Sequence, residues 1–324
     1  DEMVAIAMEA APEAYLLLRC YPTMPWFWFQ ENEDQRALIK TDKGNIAAWE
    51  ENGEPAASLA SEKWLSAQEK TVHDFIAYIK TQPWSSRVIG FHITGGATCE
   101  WFSWGSNYDG LIGSDFSRIN QETFKSWMKK HGVYDGSDDP VPELEARLGR
   151  HSDILPDTKE AVSAAMYSWY YSDLLFQTME RLAKAVKQAS DNRLIVGTFY
   201  GYVLQLSGES RQAISYSLAA LSKVLASPYI DYIGGVPLHT YRNLDGYDSF
   251  VSTIDSVIAS GKLYYNENDL FSWLHPIHWN VPYDKDDPRG GAISMHRRVM
   301  ANDAVHGALL GWFGLADSWH NDEK

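Results

Sequence analysis

Cysteine is nearly missing from the 324-residue chain, which carries only Cys20 and Cys99. Two thiols make no disulfide framework and their spacing fits no structural zinc site, so both are expected to be free. Positive charge is scarce as well. Against 43 Asp and Glu stand 28 Lys and Arg, a net charge of −15. Such a surface repels phosphate backbones and argues against nucleic acid as a partner. No apolar run approaches the roughly 20 residues that cross a bilayer, so no membrane association is expected. Three signature motifs are absent too. There is no G-x-G-x-x-G dinucleotide turn, no G-x-x-x-x-G-K-[ST] phosphate loop and no G-x-S-x-G nucleophile elbow. Nor do the opening residues read as a secretory leader; DEMVAIAMEAAPEA has the pattern of the latter part of a helix.

What the chain has in abundance is aromatic residues: 13 Trp, 18 Tyr and 12 Phe. Cores rarely need so many indoles, so their placement carries information. Short, continuously apolar runs recur at Ala14–Tyr21, Arg87–Ile93, Arg193–Tyr200, Tyr229–Gly235, Lys262–Asn268 and Gly307–Leu315. Continuous rather than alternating apolarity suits strands covered on both faces, as in a parallel sheet. Helical patterns lie between them. Ser58 or Ser61 caps one that runs to about Lys80, with Leu65, Val72, Phe75, Ile76 and Ile79 on a stripe. Asp157 and Glu160 open a longer one, with Val162, Met166, Trp169, Leu182 and Val186 expected on its buried face. Shorter helices fit Arg211–Leu225, Tyr247–Ala259 and Ile293–His306.

Strand–helix alternation of this kind predicts right-handed βαβ units in an α/β, (β/α)₈ TIM-barrel-type domain spanning residues 1–324. Six strands are visible where a closed barrel needs eight, so they are expected to be strands three to eight, with one and two missing. Long loops at about 22–57 and 101–157 both follow strands, which would put them on a barrel's active face. The first contains a hairpin around Asp42-Lys43-Gly44, the second a short helix near Gln121–Lys130. A doubly wound open sheet is the alternative, weakened by the missing dinucleotide turn.

Strand ends hold the candidate chemistry. Glu100 follows strand four in HITGGATCEWFSWG, and Glu267 ends strand seven in YYNENDLFSW. Two carboxylates over one mouth can hydrolyse a glycosidic bond, one as acid and then base, the other as nucleophile or water-activating base. Trp101, Trp104, Trp279 and Trp312 lie at or after strand ends, where flat indoles suit the C–H faces of sugars. Arg19, His92, Tyr200, His239, Tyr241 and Asp269 complete the expected substrate contacts, some as hydrogen-bond partners for the sugar rim. His275 and His278 are three apart, a weak metal signal that no carboxylate spacing completes, so neither metal nor cofactor is expected.

Several segments together resemble the catalytic domain of glycoside hydrolase family 42, retaining enzymes of clan A, many of them β-galactosidases. These are PAASLASEKWLSAQEK, RVIGFHITGGATCEWFSWG, KLYYNENDL and RRVMANDAVHGALLGWFGLADSWH. The resemblance runs from strand three to strand eight and does not take in that family's trimerisation and C-terminal β domains. It implies Glu100 as acid/base, Glu267 as nucleophile and Trp312 facing the pocket. Clan members usually carry Asn before the acid/base glutamate, where this chain has Cys99. The expected function is therefore a β-galactosidase-like retaining glycosidase acting on an oligosaccharide or glycoside. The alternative is a carbohydrate-binding barrel without catalysis, and the Cys99 departure sustains it.

Overall fold

The computed structural model describes residues 1–40, 44–51, 54–96, 99–101, 106–107, 110–111, 114–147, 159–206, 218–239, 242–274 and 287–313. The chain divides into two compact units, Asp1–Thr198 with Ile214–Asp231, and Phe199–Ala213 with Tyr232–Lys324. All six runs read as barrel strands are strands, and each unit holds three.

The first unit begins with helix α1 (Glu2–Ala10) and strand β1 (Leu16–Cys20). The first long excursion forms the expected hairpin, β2 (Leu38–Lys40) against β3 (Ile46–Ala48), paired Leu38 to Ala48 and Lys40 to Ile46. Its turn residues 41–43 lie outside the described residues. Helix α2 (Glu62–Lys80) follows, capped as expected by Ser61, whose Oγ accepts from the Trp64 amide at 3.0 Å. Then come β4 (Val88–Ile93), helix α3 (Arg118–His131), helix α4 (Lys159–Ala189) and β5 (Ile195–Phe199). Strands β1, β4 and β5 are parallel neighbours in that order, with Arg19 beside His92 and His92 beside Gly197.

Helices α2 and α4 pack on one another and on one face of these strands. Ile76 and Ile79 from α2 and Leu182 and Val186 from α4 are buried with Phe91 and Val196. Each such side chain contributes about 1.5–3 kcal/mol on leaving water. Arg181 of α4 clasps α2 from outside, its Nη1 2.6 Å from Glu62 and its Nη2 2.6 Å from Glu69.

The buried face of α4 differs from the expected one at its N-terminal end. Val162 and Trp169 are exposed, while Tyr167, Tyr170 and Tyr171 are buried against Phe124 and Met128 of α3. The tyrosines can go inside because α3 supplies Asn120. Tyr170 Oη donates to Asn120 Oδ1 at 2.7 Å, and Asn120 Nδ2 donates to Tyr167 Oη at 3.0 Å. The aliphatic stripe therefore rotates away, a choice made by a partner distant in sequence.

The second unit contains β6 (Tyr232–Gly235), β7 (Leu263–Asn268), helix α5 (Pro288–His306) and β8 (Leu309–Trp312). Its strands are parallel, Gly235 beside Asn266 and Glu267 beside Gly311. Among the described residues no helix is long and apolar enough to cross a membrane.

Candidate active site

In a strand successive side chains take opposite faces, and that parity sorts the candidates. Cys20, Phe91 and Ile93 share a cavity with Val72 and Phe75 of α2 and Leu182 and Val186 of α4. Arg19 and His92, one position away in each strand, stand on the face opposite those helices. His92 is 3% exposed. Burial first, and the charge of Arg19 second, push its pKa down to about 3. It is a neutral imidazole at any working pH. Cys20 is inert, its thiol pushed up to about 12 by burial, and both cysteines are free.

The segment after β4 folds back sharply onto the strand it leaves. The Thr94 amide donates to Cys20 O at 2.9 Å, the Cys99 amide to Gly96 O at 3.0 Å and the Trp101 amide to Gly95 O at 2.6 Å. Glu100 is thereby held at the end of β4 between two left-handed residues, Cys99 at φ 66° and Trp101 at φ 62°. Neither is glycine, and each such conformation costs about 1–2 kcal/mol. Trp101 itself is 3% exposed. Its Nε1 donates to Thr198 Oγ1 at 2.8 Å and to Ile93 O at 3.3 Å. Gly95 makes room for the ring, since a Cβ there would lie 2.5 Å from Trp101 Cζ3.

In the second unit the same parity places Glu267. Asn266 Nδ2 donates to Asp303 Oδ1 of α5 at 2.7 Å, and Asn268 Nδ2 lies 3.0 Å from His296 Nδ1 of α5. Glu267 sits between them in sequence and so on the other face, 6% exposed at the C-terminal end of its strand. Tyr265 and Gly311 share that face, where a Gly311 Cβ would lie 2.2 Å from Tyr265 Oη.

Asp269 continues from Glu267 and joins two groups that follow β6. Arg242 Nη2 lies 2.8 Å from Asp269 Oδ1, and His239 Nε2 lies 3.6 Å from Oδ2. Arg242 is itself fixed by the carbonyls of Pro237 and Leu238. Burial raises the Asp269 pKa, but Arg242 and then His239 outweigh it and hold the group below the ordinary carboxylate range. Arg242 was not anticipated. The available signal was a cation shortly after the strand-six run, matched by an acid just after the strand-seven run.

The remaining expected contacts divide. Tyr200, past β5, is fully buried, its amide donating to Gly234 O at 3.2 Å. Trp312 departs from expectation. It lies on the α5 face of its strand, its ring 5.0 Å from that of His296, and it is half exposed there. Its register partner is Asn268 rather than Glu267, so strand parity carries it away from the carboxylate. Trp104, Tyr241, Trp279, His275 and His278 lie outside the described residues. Among the described residues no three His, Cys, Asp or Glu side chains group as metal ligands would.

No family model matches the sequence, and neither does any curated protein. Solved structures do. A β-galactosidase from the Antarctic haloarchaeon Halorubrum lacusprofundi is 14% identical with a TM-score of 0.58, over 98% of this chain and 47% of that one. A catalytic mutant of a family 42 β-galactosidase from G. stearothermophilus is 11% identical with a TM-score of 0.53, over 97% and 43%. The catalytic domain of a β-amylase from Paenibacillus polymyxa is 14% identical with a TM-score of 0.56, over 96% and 78%. The chain thus spans less than half the length of these β-galactosidases. At such identities the likeness is one of fold alone: this chain shares with these structures an arrangement of parallel strands alternating with helices.

Proposed function

We propose that the chain is a retaining β-glycosidase related to family 42, with Glu100 as acid/base and Glu267 as nucleophile. The observation that carries this reading is Glu267, a buried carboxylate at the C-terminal end of a parallel strand, on the face turned away from α5. Strand C-termini are where enzymes built on such folds keep their chemistry. In this reading Glu100 protonates the glycosidic oxygen while Glu267 attacks the anomeric carbon. The leaving group departs, and Glu100 then takes a proton from the water that releases the sugar. Asp269, oriented by Arg242 and His239, binds sugar hydroxyls beside the nucleophile, and neutral His92 offers the rim a hydrogen bond without a competing charge.

The test uses an aryl β-galactoside and a wider panel of aryl glycosides. Glu267→Gln should lower kcat by several orders of magnitude, and product should leave with the anomeric configuration of the substrate, read by NMR. A crystal structure should place the two carboxyl groups about 5–5.5 Å apart; a separation near 8 Å with inverted product would make the enzyme inverting. Full turnover in Glu267→Gln rejects the assignment. Sugar binding by calorimetry with no hydrolysis of any glycoside would favour a carbohydrate-binding barrel instead.

A further inference from the structure

The two residues flanking Glu100 occupy backbone conformations that side-chain-bearing residues avoid, so something must hold them there. The structure identifies the holder. Trp101 drives its indole back against the end of β4, over Gly95, until Nε1 reaches Thr198 Oγ1 at 2.8 Å on the neighbouring strand. The Thr198 hydroxyl is itself oriented, with Met179 Sδ of α4 at 3.6 Å as acceptor for its proton. With its proton so directed, Oγ1 accepts from the indole. The ring is only 3% exposed, which leaves little of it for a sugar to stack on, although it borders a small cavity shared with Tyr21, Pro22 and Tyr171.

We propose that Trp101 and Thr198 are positioning residues for Glu100. The indole, latched to Thr198, locks the left-handed turn and so fixes where the Glu100 carboxyl stands at the mouth of the strand. This rests on the acid/base role of Glu100 and deepens it by naming what aims that acid. Its chemical consequence is specific. Acid catalysis matters most for a poor leaving group and little for an activated one such as dinitrophenolate, which departs without a proton. A mis-aimed Glu100 therefore harms the glycosylation step of the two substrates unequally, while both still need it as base to release the sugar.

The experiment compares Thr198→Val and Thr198→Ser in the full chain, beside Glu100→Ala, on alkyl and dinitrophenyl glycosides. Thr198→Val should lower kcat for the alkyl glycoside roughly 10- to 100-fold. For the dinitrophenyl glycoside, kcat/KM, which reports the glycosylation step alone, should stay within about twofold, while its kcat and KM fall together because Glu100 also serves as base in deglycosylation; the basic limb of kcat/KM against pH for the alkyl glycoside should move. Thr198→Ser, which keeps the acceptor, should restore the wild-type profile. Equal losses of kcat/KM on both substrates with an unmoved pH limb would mean a merely structural role and overturn the proposal. So would a crystal structure of Thr198→Val with Glu100 in its original place. Glu100→Ala separates the two layers. If it hydrolyses alkyl glycosides normally, the acid/base reading itself falls; if it is impaired while Thr198→Val is not, only the positioning role falls.

Discussion

Asp303 on α5 gives the second unit a pH-dependent stability that one substitution should remove. The side chain is 2% exposed. Asn266 donates to Oδ1, while Oδ2 has no hydrogen-bond partner among the described residues, nor has the nearby buried Tyr264 Oη. The other charges facing this pocket are Asp248, held by Arg298 with Nε 2.5 Å from Oδ2, and His306, with Nδ1 3.5 Å from Asp255 Oδ1. Burial, more than the charge of Asp248, raises the Asp303 pKa from 3.8 to about 6, against the opposing pull of Asn266 and His306. A raised carboxylate pKa means the folded state holds the proton more tightly than the unfolded chain. Stability is therefore greatest below pH 4, falls as pH rises between about 4 and 6, and stays depressed above that. About two pKa units correspond to a penalty on the order of 3 kcal/mol at neutral pH. Asp303→Asn keeps the acceptor for Asn266 and removes the charge. Thermal melts should place the variant about 5–10 °C above wild type at pH 8, with the two nearly equal at pH 4. The same difference at both pH values would refute the reasoning.

Gly95→Ala should force Trp101 off its seat and destabilise the first unit by about 1–3 kcal/mol in urea titration, because the clashing ring is latched and cannot swing aside. Cys99→Asn should stabilise by up to ~1 kcal/mol in the same titration, since asparagine tolerates positive φ better than cysteine. Arg242→Met should leave the buried Asp269 with only His239 to oppose burial. The carboxylate loses its main cation, and the melt at pH 8 should report a loss of about 3 kcal/mol.

The strands were legible because each is a short, continuously apolar run between helical stretches, and parallel packing covers both its faces. Ser61 was legible because a cap acts within one turn of its helix. The buried face of α4 was not, since Tyr167 and Tyr170 go inside only when Asn120 from another helix satisfies their hydroxyls. Glu267 and Asp269 could be placed on one side by counting in twos. Trp312 was set facing the pocket by the family resemblance, and its register against Asn268, which turns it to the α5 face, was unknown from sequence. Arg242, Thr198 and Gly95 act through partners 27, 97 and 6 residues away, and a single sequence does not mark such pairings. The role expected of Trp101 as a sugar platform came from its residue type and position. What the indole does instead depends on a threonine at the end of the next strand.

Alternation along β7 makes that strand a divider between two jobs. Its amides bind the helical layer, and its carboxylate faces the other way. Deleting one residue from positions 263–266 would exchange the two sets, driving a carboxylate into the α5 packing layer and an amide out to where the proposed nucleophile stands. Length changes in this stretch are thus closed to evolution and to the protein engineer alike. New specificity has to be written by substitution, or in the segments that leave the strand ends.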